Sequence, residues 1–292
     1  MRITENMRLA TTSLAQSLTS SRLDKASRVA SRGATVAAPS DDPVAYAAKV
    51  RYDHALALIE SRSGIATKVS GELDVAEGAL STGVDLLSQA RESAVAGAND
   101  TLDASGRKLL GQQVSALREE MLGIANTRYG TKYLFAGTKT DTAPFDPTGA
   151  FTGNDVVMRV PMMDGVAPPA NVSGARAFTA VGGQDVLTAL KTLADALATN
   201  DVATIRSSID NIDASHTQLV RAQTEAGLAG ERFRSAIDVM ASTKIAVASA
   251  RANEVEGDPF DHLTELSLAK AAYERGVEVT RQLLSLSSLT RQ

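Results

Sequence analysis

The sequence contains no cysteine and no tryptophan, and it has only 11 aromatic residues among 292. The absence of cysteine excludes disulfides, iron–sulfur clusters, thiolate zinc sites and cysteine nucleophiles. Because aromatic rings are scarce and alanine is abundant, with 48 residues, the core must be packed from small aliphatic side chains. That composition favours closely packed helices over an aromatic-rich sandwich or barrel.

Concentrated charge and long apolar runs are also missing. The chain carries 30 basic and 34 acidic residues, a formal net charge of −4, and no block of like charges. Nucleic acid is therefore not expected as a partner, since phosphate binding needs a basic patch. No apolar stretch approaches the roughly 18 residues of a membrane span, so no membrane insertion is expected. Residues 1–7 lack a secretory apolar run, which predicts that any export uses a route without such a signal.

Proline-free stretches and apolar periodicity predict long helices. Residues 44–143 and 170–258 contain no proline, and interior proline breaks helices. Within them, apolar residues recur at alternating steps of three and four, the spacing of one helix face near a coiled-coil seam. These stripes are Ile65, Val69, Leu73, Ala76, Leu80, Gly83, Leu87, Ala90 and Ala94; Leu110, Val114, Leu117, Met121 and Ile124; and, with polar interruptions, Ile205, Ile209, Ile212, His216, Leu219, Gln223, Ala226, Gly230, Phe233, Ile237, Met240, Lys244 and Val247.

The middle of the chain has a different character. Five of the eight prolines and six of the 11 aromatic residues lie between 129 and 178. Residues 156–160 and 170–172 are predicted as short strands between glycine and proline turns. We therefore predict a mainly α fold with a small β insertion: a long antiparallel helical bundle or coiled coil whose N- and C-terminal helices pair.

The two ends carry thin apolar stripes with too little apolar area to hold an isolated helix in water. They are expected to pair with each other or with neighbouring subunits, and to be poorly ordered in the monomer. The hypothesised assembly interface consists of Ile3, Met7, Leu14, Leu18, Leu266, Tyr273, Val277 and Leu284. The predicted division is 1–39 with 259–292 as terminal helices, 40–140 with 183–258 as a helical bundle, and 141–182 as a small β-rich outer domain.

No catalytic residue, cofactor-binding residue or metal ligand is predicted. The three histidines, His54, His216 and His262, share no metal-binding spacing; His216 is expected to pack in the core and His54 to face solvent. The adjacent carboxylates of Asp41 and Asp42 could suggest a metal or an acid–base pair. Helix initiation is the preferred interpretation, with Asp42 as the N-cap and Pro43 as the first helical residue.

Several motifs resemble the flagellar hook-associated protein 3 family, relatives of flagellin that form the hook–filament junction. They are Met1-Arg2-Ile3-Thr4, Ser40-Asp41-Asp42-Pro43, the run from Tyr133 to Phe145, Gly227-Leu228-Ala229-Gly230-Glu231-Arg232-Phe233, and Asp258-Pro259-Phe260-Asp261-His262-Leu263. They occur in family order along the whole chain. The final residues, 286–292, depart from the family's usual ending, which weakens any transfer of function to them.

The resemblance implies a structural, non-enzymatic protein of the bacterial flagellum that connects the hook to the flagellin filament. Its implied partners are hook-associated protein 1, flagellin, copies of itself in a junction ring and a flagellar export chaperone. It also implies an extracellular location at the hook–filament junction, reached by flagellar type III export. The alternatives are a flagellin filament subunit and a signalling coiled-coil protein; the proline-rich insertion argues against the latter.

Overall fold

The computed structural model describes residues 2–162 and 165–289, without the side chains of 2–6, 8, 9 and 283–289. Long helices dominate this part of the chain, and its only sheet has two short strands. The predicted fold class, mainly α with a small β insertion, is confirmed. The elements are α1 (Arg2–Arg32), α2 (Pro43–Gly97), α3 (Ala104–Ala125), β1 (Arg128–Tyr129), β2 (Lys132–Tyr133), α4 (Gly174–Phe178), α5 (Val186–Ala198), α6 (Val202–Val255) and α7 (Pro259–Leu289).

The chain forms two compact units. The terminal unit comprises residues 1–59 and 242–292, and the central unit comprises residues 60–241. The boundaries fall inside α2 and α6, each of which continues from one unit into the other. The division into terminal helices, bundle and outer β domain at 39/40, 140/141, 182/183 and 258/259 stays a prediction.

The core of the central unit is built on the predicted stripe of α2. Every predicted member from Val69 to Ala94 is buried. The one error is at the start of the stripe, where Ile65 is 45% exposed and Ala66 is buried instead. Gly83 shows why a small residue is needed here, since a Cβ added to it would lie 2.8 Å from Cδ2 of Leu219 on α6.

The predicted stripe of α6 is right at alternate positions and at Gly230, but it fails beyond Met240, where Lys244 is exposed and Val247 is only half-buried. Ile205, Ile212, Leu219, Ala226, Phe233 and Met240 are buried as expected. Between them the structure buries Ser208, Ser215, Ala222, Ala229 and Ala236, each one residue before the predicted partner. The prediction that His216 packs in the core is therefore wrong, because the imidazole is only half-buried while Ser215 is fully buried. Small side chains at these positions let the helices approach closely, whereas the larger predicted side chains lie beside the seam.

Two buried polar side chains, which the sequence did not single out, hold the connections between helices. Arg107 donates to the carbonyls of Gly97 and Asn99, both at 2.8 Å, and to Oδ1 of Asn200 at 2.6 Å. It thereby satisfies orphan carbonyls at the C-terminal end of α2. Gln218 donates to the carbonyls of Ala177, Thr179 and Gln184 and accepts from the Gln184 N–H. These bonds fix the segment between α4 and α5 on α6.

The described part of the predicted β-rich range, 141–182, contains no regular strand, and the β1–β2 sheet precedes that range. Residues 156–160 and 170–172 form no regular strand; the backbone pairs at one isolated bridge between Arg159 and Pro169, the residue before the second segment. The Val160 N–H donates to the Pro168 carbonyl, but Pro168 has no N–H with which to return the bond. The side chain of Asn171 partly substitutes for a strand, accepting from the Met158 N–H at 2.7 Å and donating to the Val156 carbonyl at 3.0 Å.

An aromatic cluster forms the core of the inserted region. Phe135 and Phe178 are fully buried, with ring centroids 5.3 Å apart in an edge-on arrangement. Phe145 packs against Phe178 at 5.7 Å and against Phe151 at 5.1 Å. The region is thus stabilised by ring packing where the backbone ladder is incomplete.

Substitution of Leu87 by Ala tests the predicted core. Leu87 is fully buried on α2, so its truncation leaves a cavity and is expected to lower the free energy of unfolding by about 2–5 kcal/mol. Leu109→Ala is the matched control, because Leu109 is 67% exposed on α3, and it should change stability by less than about 0.5 kcal/mol. Denaturant unfolding monitored by circular dichroism measures both; equal effects would contradict the assigned core.

Candidate assembly surface of the terminal helices

The two adjacent carboxylates near the start of α2 bind backbone amides. Oδ1 of Asp42 accepts from the N–H groups of Val44 and Ala45 at 2.8 and 3.0 Å, and α2 begins at Pro43, so the predicted N-cap is confirmed. Oδ2 of Asp41 accepts from Ala38 and Ala37. These two amides, with a smaller contribution from the charge of nearby Lys25, hold the pKa of the Asp41 carboxyl below its ordinary value. Both carboxylates therefore have structural roles as backbone caps.

The segments that lead into and out of the long helices are clipped together inside the terminal unit. Both the N–H and the hydroxyl of Thr35 donate to the Val255 carbonyl, at 2.9 and 2.8 Å. Val36, Val255 and His262 are buried beside this clip. His262 packs so closely against Gly257 that a Cβ there would lie 2.6 Å from Nε2. The clip thus fixes the end of α1 and the start of α7 against each other.

Helices α1 and α7 pack antiparallel through a seam with alternating steps of three and four residues. Thr19 lies against Gly276, whereas Ala26 and Val29 line a cavity with His262. The buried and half-buried positions that follow this spacing are Thr12, Gln16, Thr19, Leu23, Ala26 and Ala30 on α1, and His262, Leu266, Ala269, Tyr273, Gly276 and Thr280 on α7. Within the described residues, Leu23 and Val29 are the large apolar side chains that α1 contributes, so this part of the seam buries little apolar area for its length.

The structure divides the hypothesised interface residues into separate groups. Leu266 and Tyr273 lie half-buried in the α1–α7 seam, and Val277 lies half-buried beside it. Met7, Leu14 and Leu18 are 68%, 61% and 62% exposed and lie on the side of α1 away from the seam. The side chains of Ile3 and Leu284 lie outside the described residues. The pairing of the two ends therefore does not use the apolar stripe predicted for α1, and its role in an assembly interface stays a prediction.

Helix α7 also exposes apolar residues that lie outside the hypothesised interface set. Phe260, Leu263, Leu268 and Val279 on α7 are between 52% and 78% exposed. Of these, Leu268 and Val279 belong to a run with spacing 4, 3, 4, 3, 4, which consists of Asp261, Glu265, Leu268, Ala272, Arg275 and Val279. This spacing is the available sequence signal, but three of the six positions are charged, so the run does not form an apolar helix face.

The described residues provide no arrangement suited to metal binding or to a membrane span. No group of three or more histidine, aspartate or glutamate side chains among them could hold a metal ion. No helix in the described part of the chain is long and apolar enough to cross a membrane. His54 is exposed on α2, as predicted.

Comparisons with known proteins relate both sequence and fold to the flagellum. Residues 3–140 match the family described as the bacterial flagellin N-terminal helical region. The flagellar hook-associated protein 3 of Escherichia coli (strain K12) is 34% identical over 125 residues, which are 42% of this chain and 39% of that protein. The aligned part thus spans about two fifths of this curated relative. The resemblance to the hook-associated protein 3 family, within the flagellin superfamily, is confirmed.

Solved structures share the fold across most of the chain. A flagellar hook-associated protein from Vibrio parahaemolyticus superposes with a TM-score of 0.68 at 22% identity, covering 74% of this chain and all of that one. The flagellar junction protein FlgL from Legionella pneumophila superposes with a TM-score of 0.58 at 15% identity, covering 71% of this chain and 99% of that one. At these identities the likeness establishes the fold.

Replacement of Asp42 distinguishes a helix cap from a site that needs a carboxylate charge. Asp42→Ala removes the acceptor of two first-turn amides and is expected to weaken the start of α2 by about 1 kcal/mol, whereas Asp42→Asn retains a good cap. Amide exchange at Val44 and Ala45 should accelerate about fivefold in the alanine variant and little in the asparagine variant. Equal acceleration in both variants would show that the charge, rather than the cap, is required.

Proposed function

We propose that this chain, which carries the flagellin N-terminal helical region in residues 3–140, is a structural subunit of the bacterial flagellum that joins the hook to the filament. The observation that carries the proposal is the outward apolar stripe of α1. Met7, Leu14 and Leu18 are exposed along a helix that already has a partner, α7, on its opposite side. Such a stripe needs a further protein surface to cover it.

The names of similar proteins support the junction over the other roles. The E. coli relative is a hook-associated protein, and the Legionella structure is called a flagellar junction protein. The family model alone would also suit a flagellin, which is the alternative candidate. A signalling coiled coil is disfavoured by the buried aromatic cluster of Phe135, Phe145 and Phe178, which makes the insertion a packed structure of its own.

The partners and the location follow from this role. The chain binds hook-associated protein 1 on the hook side, flagellin on the filament side and copies of itself within the junction, and an export chaperone binds it before secretion. It works outside the cell, after flagellar type III export, and has no catalytic activity. The absence of cysteine suits a chain that is exported unfolded, because it has no thiol to cross-link.

The polar seam between α1 and α7 supports a role for assembly in ordering the ends. Thr19 and Thr280 direct their hydroxyls to carbonyls of their own helices, so they contribute no hydrogen bond across the seam. Because the seam buries little apolar area, the packing of α1 on α7 scarcely offsets the entropy that is lost when the two helices become ordered. The neighbouring subunit supplies the missing apolar surface, which ties the ordering of the termini to incorporation at the growing tip.

Deletion of the gene in the bacterium that encodes this chain tests the junction role. The expected strain builds hooks but no attached filaments and sheds flagellin into the medium, because the adaptor between the two is missing. Electron microscopy and immunoblotting of the medium measure these outcomes, and the intact gene should restore filaments. Attached filaments in the deletion strain would overturn the junction role. Bare hooks with no flagellin either inside or outside the cells would instead identify the chain as the flagellin.

Amide exchange on the purified monomer tests the ordering of the ends. The amides of residues 7–23 and 266–282 are expected to be weakly protected from exchange, as in a fraying helix end. The amides around Leu80 and Leu87 should exchange with an opening free energy close to that of global unfolding. The physical reason is the difference in buried apolar area between the two seams. Strong protection of both terminal segments in the monomer would contradict the proposal that assembly orders them.

A further inference from the structure

A small cavity lies between α2 and the inserted region, within the central unit. Its volume is about 30 Å³, which is close to the share of one water molecule in the liquid. Much of its wall consists of buried apolar side chains, which offer no hydrogen bond to a polar group that faces them. These side chains belong to Leu73 and Ala76 on α2, to Leu134 just after β2, and to Ala170 and Val172.

One carboxylate oxygen at this cavity lacks a hydrogen-bond partner. Glu72 lines the cavity, and its Oε1 is shielded from solvent and makes no hydrogen bond to any described residue. A buried acceptor without a donor is costly, and more so when it carries charge. The terminal torsion of a glutamate is broad, so a small rotation of the carboxylate lets Oε1 meet a donor that lies inside the cavity.

Three further polar side chains line the cavity and have unused hydrogen-bonding capacity. Within the described residues, the hydroxyl of Thr140 makes no hydrogen bond and the ammonium of Lys132 makes no ion pair. Asn171 accepts from one backbone N–H and donates to one carbonyl, which leaves one amide hydrogen and one lone pair of its side chain free. A buried water needs two to four polar partners, and together with Glu72 this cavity has four.

We propose that the cavity is a binding site for one ordered water molecule, which bridges Oε1 of Glu72 on α2 and the hydroxyl of Thr140 in the loop after β2. The water thereby connects α2 to a part of the chain whose only sheet, among the described residues, has two short strands. The backbone bonds beside the cavity run from the Tyr133 N–H to the Thr140 carbonyl and from the Ala170 N–H to the Met158 carbonyl, both at 2.8 Å. The inference concerns the stability of the central unit and is independent of the flagellar role.

A high-resolution crystal structure of the unmodified chain identifies the occupant directly. The expected result is one water peak at about 2.5–3.2 Å from both Oε1 of Glu72 and the hydroxyl of Thr140. A direct contact between the ammonium of Lys132 and Oε1 would overturn the proposal, and so would a cavity without density. Crystals grown with rubidium salts detect a monovalent cation by its anomalous signal, and a rubidium peak in the cavity would also reject the water.

Substitution of Glu72 has opposite effects on a bridged and on an unpartnered oxygen. Glu72→Met keeps the length of the side chain but removes the acceptor. If a water bonds Oε1, the variant loses that bridge, and amide exchange at Tyr133 and Ala170 should accelerate about fivefold. If Oε1 has no partner, its removal relieves a penalty and exchange should slow. Slower or unchanged exchange at both amides would therefore contradict the water site.

Two control variants separate the loss of the acceptor from other effects of the substitution. Glu72→Gln retains an acceptor oxygen and should change both exchange rates by less than about twofold. Glu92→Met makes the same replacement at an exposed position of α2, away from the cavity lining, and should leave both rates unchanged. Acceleration by Glu92→Met equal to that by Glu72→Met would assign the effect to the helix and overturn the proposal.

A double-variant comparison tests whether one molecule serves both side chains. Thr140→Val keeps the shape of the side chain but removes its hydroxyl, and it should accelerate exchange at Tyr133 and Ala170 about as much as Glu72→Met does. The chain with both substitutions should exchange little faster than either single variant, because both lose the same water. Effects that multiply in the double variant would show that Glu72 and Thr140 share no water and would reject the bridge.

Discussion

The close approach of α2 and α6 within the central unit is the constraint on which the rest of the structure depends. Gly83 leaves room for Leu219, and Ser208, Ser215 and Ala222 fill alternate seam positions with minimal volume. Antiparallel register is reinforced at the surface by ion pairs between Arg91 and Asp213 and between Arg234 and Asp74. Helices that pack this closely bury their backbone faces with little side-chain bulk, which is why a chain poor in aromatic residues can still form a core.

Where helices end, the structure is stabilised by aromatic and long polar side chains instead of small ones. Phe135, Phe145 and Phe178 fill the inserted region, which has too few paired backbone groups to be held by a sheet. Arg107 and Gln218 satisfy carbonyls at helix ends and in the connecting segment. The reason is geometric. Small residues pack between helices that run alongside each other at short separation. Aromatic side chains, and side chains that form several hydrogen bonds, fill the irregular spaces where helices end.

The terminal unit has the same spacing of three and four residues as the central unit, but its seam buries little apolar area. The α1–α7 seam has regular steps of three and four, yet α1 contributes mainly Thr, Gln and Ala to it. Its larger apolar side chains, Met7, Leu14 and Leu18, face outward. The terminal unit is therefore less stable within one copy than it would be with these side chains in the seam. The exposed apolar side chains remain available for contact with another copy, which is the physical basis of the proposed assembly role.

The sequence by itself determined the helical architecture and the start of α2. Proline spacing, apolar period and the Asp42-Pro43 pair are local signals, and local chemistry decides helix starts and breaks. Only the tertiary structure decided which of two adjacent residues enters a seam, as with Ser215 over His216, and that Pro168 reduces the predicted strands to one bridge. It also decided that the apolar stripe of α1 faces away from α7. These outcomes depend on the distance and direction of a neighbouring helix, which periodicity along one segment does not contain.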